Sequence, residues 1–138
     1  MSHLFVILLA FLFSFQVQAR LLAKVSMVYR NGIDKNLVLE SELHSVEEIW
    51  GKRAVKLVMK NGTRLQFKAG FWERPLAKTE VVGPSSKIFV EGKLFLANGK
   101  LVKQMERRNS QTEIGESLLF SFKDQTQLIE VSITPYLE

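Results

Sequence analysis

Apolar side chains recur at every second position through most of this chain, and that parity limits the fold more than any other feature. Val25 and Met27 alternate with Lys24, Ser26 and Arg30, and Leu37, Leu39 and Leu43 alternate with Val38, Glu40 and Glu42. Leu65, Phe67 and Phe71 alternate with Arg64, Gln66 and Lys68. Leu118, Phe120 and Phe122 alternate with Leu119, Ser121 and Lys123, and Ile129, Val131 and Ile133 follow. A strand turns successive side chains to opposite faces, so runs of this kind bounded by turn residues are half-buried strands. They predict an all-β, antiparallel protein of about eight main strands, near 22–30, 36–43, 53–60, 63–71, 87–97, 100–107, 117–123 and 126–134. Thr79–Val82 adds a candidate short ninth strand, and Glu73–Lys87 and Arg108–Glu116 read as irregular connections.

The turns refine this picture, because register decides which side chains share a face. At Lys60-Asn61-Gly62-Thr63, a three-residue loop with a left-handed Gly62 pairs Met59, Leu57 and Val55 with Thr63, Leu65 and Phe67. That register collects the apolar groups on one face and is preferred over the two-residue turn. The same hairpin explains Asn61-Gly62-Thr63 without a sugar. At Ala97-Asn98-Gly99-Lys100 the preference reverses, since the bulged form sets Lys93 opposite Lys103, a destabilising like-charge pair. Asp124-Gln125 is read as a two-residue turn that places Phe120 near Ile129 and Leu118 near Val131. Sequential hairpins give a meander, closed as a small barrel or folded into a two-layer sandwich. Parity is the same in both, so it does not choose between them. The inward side of 87–97 is also open, with Phe89 and Phe95 competing against Ile88, Val90, Leu94 and Leu96.

One short helix is expected near 45–50. Ser45-Val46-Glu47-Glu48 matches a capping box, and both acids would sit at the positive end of the helix dipole. Gly51 would end the segment and leave Ile49 and Trp50 against the sheet.

Ahead of the pleated region, Leu4–Phe13 are ten consecutive apolar residues, a length that suits the core of a secretory signal. A membrane-spanning helix needs about 20. Val17 and Ala19 offer small side chains one residue apart, so the cut is placed before Arg20, leaving residues 1–19 as signal peptide and 20–138 as one β domain. The N-terminal Met1-Ser2-His3 has no Lys or Arg, and Arg20 and Lys24 follow the apolar run instead, an arrangement that would also suit an uncleaved anchor. The shortness of the run favours cleavage, with no stable transmembrane anchor. The chain has no cysteine. Disulfides, thiolate nucleophiles and Cys-based zinc sites are thereby excluded, and disulfide-free export points to a periplasmic or secreted bacterial protein.

The formal charge of +5 lies wholly within residues 20–138. It favours anionic partners through long-range steering and lacks the clustered basicity of a nucleic-acid binder, so no nucleic acid is expected. Catalytic signals are sparse. His44 with Glu42, Glu47 and Glu48 is the one grouping that resembles a hydrolase or metal site, and on a helix His44 and Glu47 or Glu48 would lie one turn apart. A hydrolytic zinc site takes more nitrogen ligands than a lone histidine provides, and capping already accounts for Glu48. Serine-nucleophile elbows, phosphate loops and dinucleotide fingerprints are absent, and no metal or cofactor is implied. More weight falls on a basic and aromatic surface. Lys56, Arg64, Gln66 and Lys68 are expected on one outward face, with Trp72 and Arg74 in the loop beyond. Lys100, Lys103, Arg107 and Arg108 form a second cluster.

These readings predict an exported, non-catalytic β module that binds an anionic envelope component, a membrane surface or another protein. A small barrel carrying an apolar ligand among Phe67, Phe89 or Phe95, Phe120 and Ile129 is the alternative, and an enzyme built on His44 the second alternative.

Overall fold

The computed structural model describes residues 20–33, 36–49, 53–72 and 87–138. The expected signal peptide at 1–19, the candidate strand at Thr79–Val82, Trp50 and Arg74 lie outside them. Nine antiparallel strands form two sheets: β1 (Leu21–Asn31), β2 (Val38–Glu48), β3 (Val55–Val58), β4 (Arg64–Phe71), β5 (Lys87–Phe95), β6 (Leu101–Met105), β7 (Gln111–Glu113), β8 (Leu118–Lys123) and β9 (Gln127–Leu137). The first sheet has the order β2-β1-β9-β8, and the second runs β3-β4-β5-β6 with β7 also paired to β5. The sheets share one apolar core and do not close into a barrel. Only the second sheet is a meander. In the first, the N-terminal and C-terminal hairpins meet through β1 and β9, with Val25 opposite Ile133 and Met27 opposite Val131. Arg20 and Glu138 close that seam with two backbone hydrogen bonds and an exposed ion pair at 2.8 Å.

Parity sorts the side chains. Leu21, Ala23, Val25 and Met27 of β1 and Ile129, Val131 and Ile133 of β9 face inward and are buried. From the other sheet come Val55, Leu57, Leu65, Phe67, Ala69, Ile88, Val90 and Leu94. Taking such groups from water is the main favourable term in folding. On β5 the branched aliphatics hold the inner side, so Phe89 and Phe95 point outward, half-buried.

The Asn61-Gly62 hairpin has the expected register, with Val55 opposite Phe67 and Leu57 opposite Leu65. Gly62 is left-handed (φ +94°), and the Asn61 side chain accepts from Thr63 N–H. The Asn98-Gly99 hairpin departs from expectation and repeats the same three-residue loop, with Gly99 at φ +88° and Asn98 accepting from Lys100 N–H. The like-charge clash is averted one step later. A register shift after the Phe95–Leu101 pair makes Val102 an extra residue, so Leu94 faces Lys103 and Lys93 faces Gln104. The final hairpin also differs. Its loop spans four residues, Lys123 pairs with Leu128, and Phe120 faces Val131 while Leu118 faces Ile133. Asp124 explains the longer loop, accepting hydrogen bonds from Thr126 N–H, Gln127 N–H and the Gln127 side chain. The shift is two residues, which preserves the face of every side chain.

The expected helix near 45–50 is absent among the described residues. Ser41–Glu48 continue β2, with Ser45 opposite Val25 and Glu47 opposite Ala23. Pairing along all of β1 outweighs the local capping pattern. Another irregularity, between Tyr29 and Arg30, leaves Glu40 unpaired in the ladder and turns Leu39 out of phase with Leu43. Leu39 is 49% exposed for this reason. Within Arg108–Glu116, read as irregular from sequence, β7 pairs Thr112 with Ile88.

Candidate functional site

Strand alternation lays the outward side chains of the second sheet in cross-strand rows. Lys56, Gln66, Lys93 and Gln104 form one row, and Val58, Arg64, Phe95 and Leu101 the next. Lys68 lies opposite Glu91 in the adjoining position, and Gly70 opposite Phe89 beyond it. Three of the expected binding residues, Lys56, Arg64 and Lys68, therefore share this face and are exposed. Trp72 borders it, half-buried, with its backbone N–H donating to the Lys87 carbonyl at 3.0 Å. Arg74 falls outside the described residues.

Two guanidinium groups stacked on aromatic rings mark the ends of the face. The Arg64 guanidinium lies 5.2 Å from the Phe95 ring centre. Arg107 lies 4.0 Å from the Phe89 centre and 5.3 Å from that of Trp72, so one guanidinium serves two rings. Gly70 makes room for this stack, since a Cβ there would lie 3.2 Å from the Phe89 ring edge. A guanidinium near an aromatic face is attracted by the ring quadrupole. Between Arg64 and Arg107 runs an open groove of about 470 Å³, its walls including Gln66, Lys68, Glu91, Lys93, Gln104 and Arg107.

Charge is divided unevenly between the sheets. In residues 53–72 and 87–116, which build the second sheet, eleven lysines and arginines outnumber four acids. In the described residues of the first sheet and its turns, seven acids outnumber four cations. The ion pairs among the described residues, Arg20–Glu138 and Arg30–Glu130, both belong to the first sheet. Sequence reading saw the cations on β3 and β4 but missed two features. From Ile49 to Trp72 the chain carries six cations and no acid, a bias visible in the sequence itself. Arg107, placed in a separate cluster, is brought to Phe89 and Trp72 by the β5–β6 pairing, and no local spacing announces that meeting.

The His44 grouping is dispersed. On a strand His44 and Glu42 point to the outer face, opposite Ser26 and Val28, while Ser45 and Glu47 point the other way and are joined by a 2.5 Å hydrogen bond. Among the described residues no group of three or more His, Asp and Glu side chains is arranged to hold a metal ion. No helix among the described residues is long and apolar enough to cross a membrane. Comparison with known protein families, with curated proteins and with solved structures finds no match to the chain.

Proposed function

We propose that the chain is an exported, non-catalytic binding module whose working surface is the outer face of the second sheet, and that its partner is an anionic component of a bacterial envelope. The observation that carries this reading is the gathering of Lys56, Arg64, Lys68, Lys93 and Arg107 beside Phe89, Phe95 and Trp72 on one pleated face. A face on which cations outnumber acids raises the local concentration of anionic partners, and rings among the cations add contact area at little entropic cost. Export is supported by the leader-like opening of the chain. The sheet begins at Leu21, just beyond the expected cut, so cleavage would take nothing from the described fold.

The surface reading is favoured over a carrier. Phe67 and Ile129 are packed in the core at 1% and 0% exposure, and Phe89 and Phe95 belong to the outside. It is favoured over an enzyme because strand parity separates His44 from Glu47, and the carboxylates left on its face, Glu42 and Glu48, stand on an exposed edge strand with no enclosing cleft among the described residues.

The test is retention of the protein on isolated envelope fractions. Retention is expected to fall as salt rises, because interactions between exposed charges are screened beyond about 8 Å at physiological ionic strength. It is also expected to fall in the double variant Arg64→Glu/Lys68→Glu. Retention indifferent to both changes would rule out this surface as the binding site.

A further inference from the structure

We infer that Arg107 is the anchor for a carboxylate of an acidic polysaccharide, whose chain then lies along the outer face of the second sheet towards Arg64; this rests on the binding-module reading. The guanidinium lies over two rings, and no hydrogen bond or ion pair to its side chain is present among the described residues. A stacked guanidinium keeps its N–H donors at the edges, in a fork that matches a planar carboxylate. Lysine is a mobile point charge and offers no such match.

The rest of the groove fits a sugar chain better than a lipid surface. Gln66 and Gln104 supply amide donors and acceptors, and Glu91 and Glu106 supply acceptors for hydroxyl groups. The same two acids oppose a densely charged anion, while Lys68, Lys93 and Arg107 still favour charges spaced along a chain. A membrane would instead call for protruding apolar side chains along the groove, yet the rings there are half-buried beneath guanidinium groups, and the exposed Val58 and Leu101 stand only in the end row beside Arg64. From Phe89 to Phe95 the strand runs about 20 Å, at roughly 3.3 Å per residue, enough to span several sugar rings.

The test is titration of the full chain with polygalacturonate, with its methyl-esterified form and with anionic phospholipid vesicles, following intrinsic tryptophan fluorescence and affinity electrophoresis. Polygalacturonate is expected to bind and the esterified form to bind much more weakly. Arg107→Lys, which keeps the charge and loses the fork, should weaken binding about tenfold, the value of a charge-assisted bidentate contact. Phe89→Leu should weaken it too, and Lys123→Gln, on the first sheet, should leave it unchanged. Matching thermal melts would show that the variants are folded. Wild-type affinity in Arg107→Lys, or tighter binding to vesicles than to polygalacturonate, would overturn the inference while leaving an anionic partner in place. Failure to bind any anionic probe or envelope fraction would remove both.

Discussion

At the scale of single residues, the tightest constraints fall where backbone approaches backbone. A Cβ on Gly92 would lie 2.3 Å from the Gln66 carbonyl oxygen and 2.7 Å from the Phe67 Cβ. Gly92→Ala is therefore expected to cost about 1–3 kcal/mol, as overpacking does, measured by denaturant unfolding. Gly62 and Gly99 form a matched comparison. Both are left-handed, but a Cβ on Gly62 would also press on Ala97 at 2.9 Å, whereas Gly99 faces open space. Gly99→Ala should cost about 1 kcal/mol from backbone strain alone, and Gly62→Ala measurably more. Asp124 adds a pH dependence. Its carboxyl is held below the ordinary value of 3.8, chiefly by the Gln127 side chain and then by Thr126 N–H. The stabilisation is present above the unfolded-state value and fades as pH falls through the lower folded value. Asp124→Asn should lose stability at neutral pH and show a flatter acid limb in thermal melts from neutral pH down to about 2. The sequence marked Asp124 as a turn residue. Its four acceptor contacts, which lengthen the loop by two, depend on coordinates that a dipeptide pattern does not carry.

At the scale of elements, strand parity was legible and most local punctuation was not. The inward positions of β1, β3, β4 and β9 follow from alternation, because one buried face leaves the register little freedom. The helix expected near 45–50 failed because Ser45 and Glu48 satisfy a local motif that ten paired residues between β2 and β1 override. Without a helix, Glu48 is an exposed edge-strand residue, and Glu48→Ala should change stability by less than about 0.5 kcal/mol, where loss of a capping box would cost about 1. The bulges at Glu40 and Val102 escaped notice because each is a response to its neighbour strand: Val102 steps aside so that Lys93 meets Gln104. Hydrogen exchange should grade the elements accordingly. Amides of β1 and β9, flanked on both sides in the first sheet, should exchange slowest, and those of β2 and β7 fastest.

At the scale of the whole molecule, the joining of the first and last strands and the separation of charge matter most. Pairing β1 with β9 closes nearly the full chain length, and non-local pairing slows folding because loop entropy is lost before contacts form. Refolding after stopped-flow dilution is expected in the range of milliseconds to seconds. The charge division was partly readable, since the acid-free run from Ile49 to Trp72 stands in the sequence. The convergence of Arg107 on Phe89 and Trp72 was not, because it depends on which strand β5 pairs with next. The most direct test of the account is amide chemical-shift mapping of isotope-labelled protein titrated with polygalacturonate. Shifts should concentrate on Arg64, Gln66, Lys68, Phe89, Lys93 and Arg107 and shrink as salt rises. Shifts confined to the first sheet, around His44, Ser26 and Ser132, would contradict it.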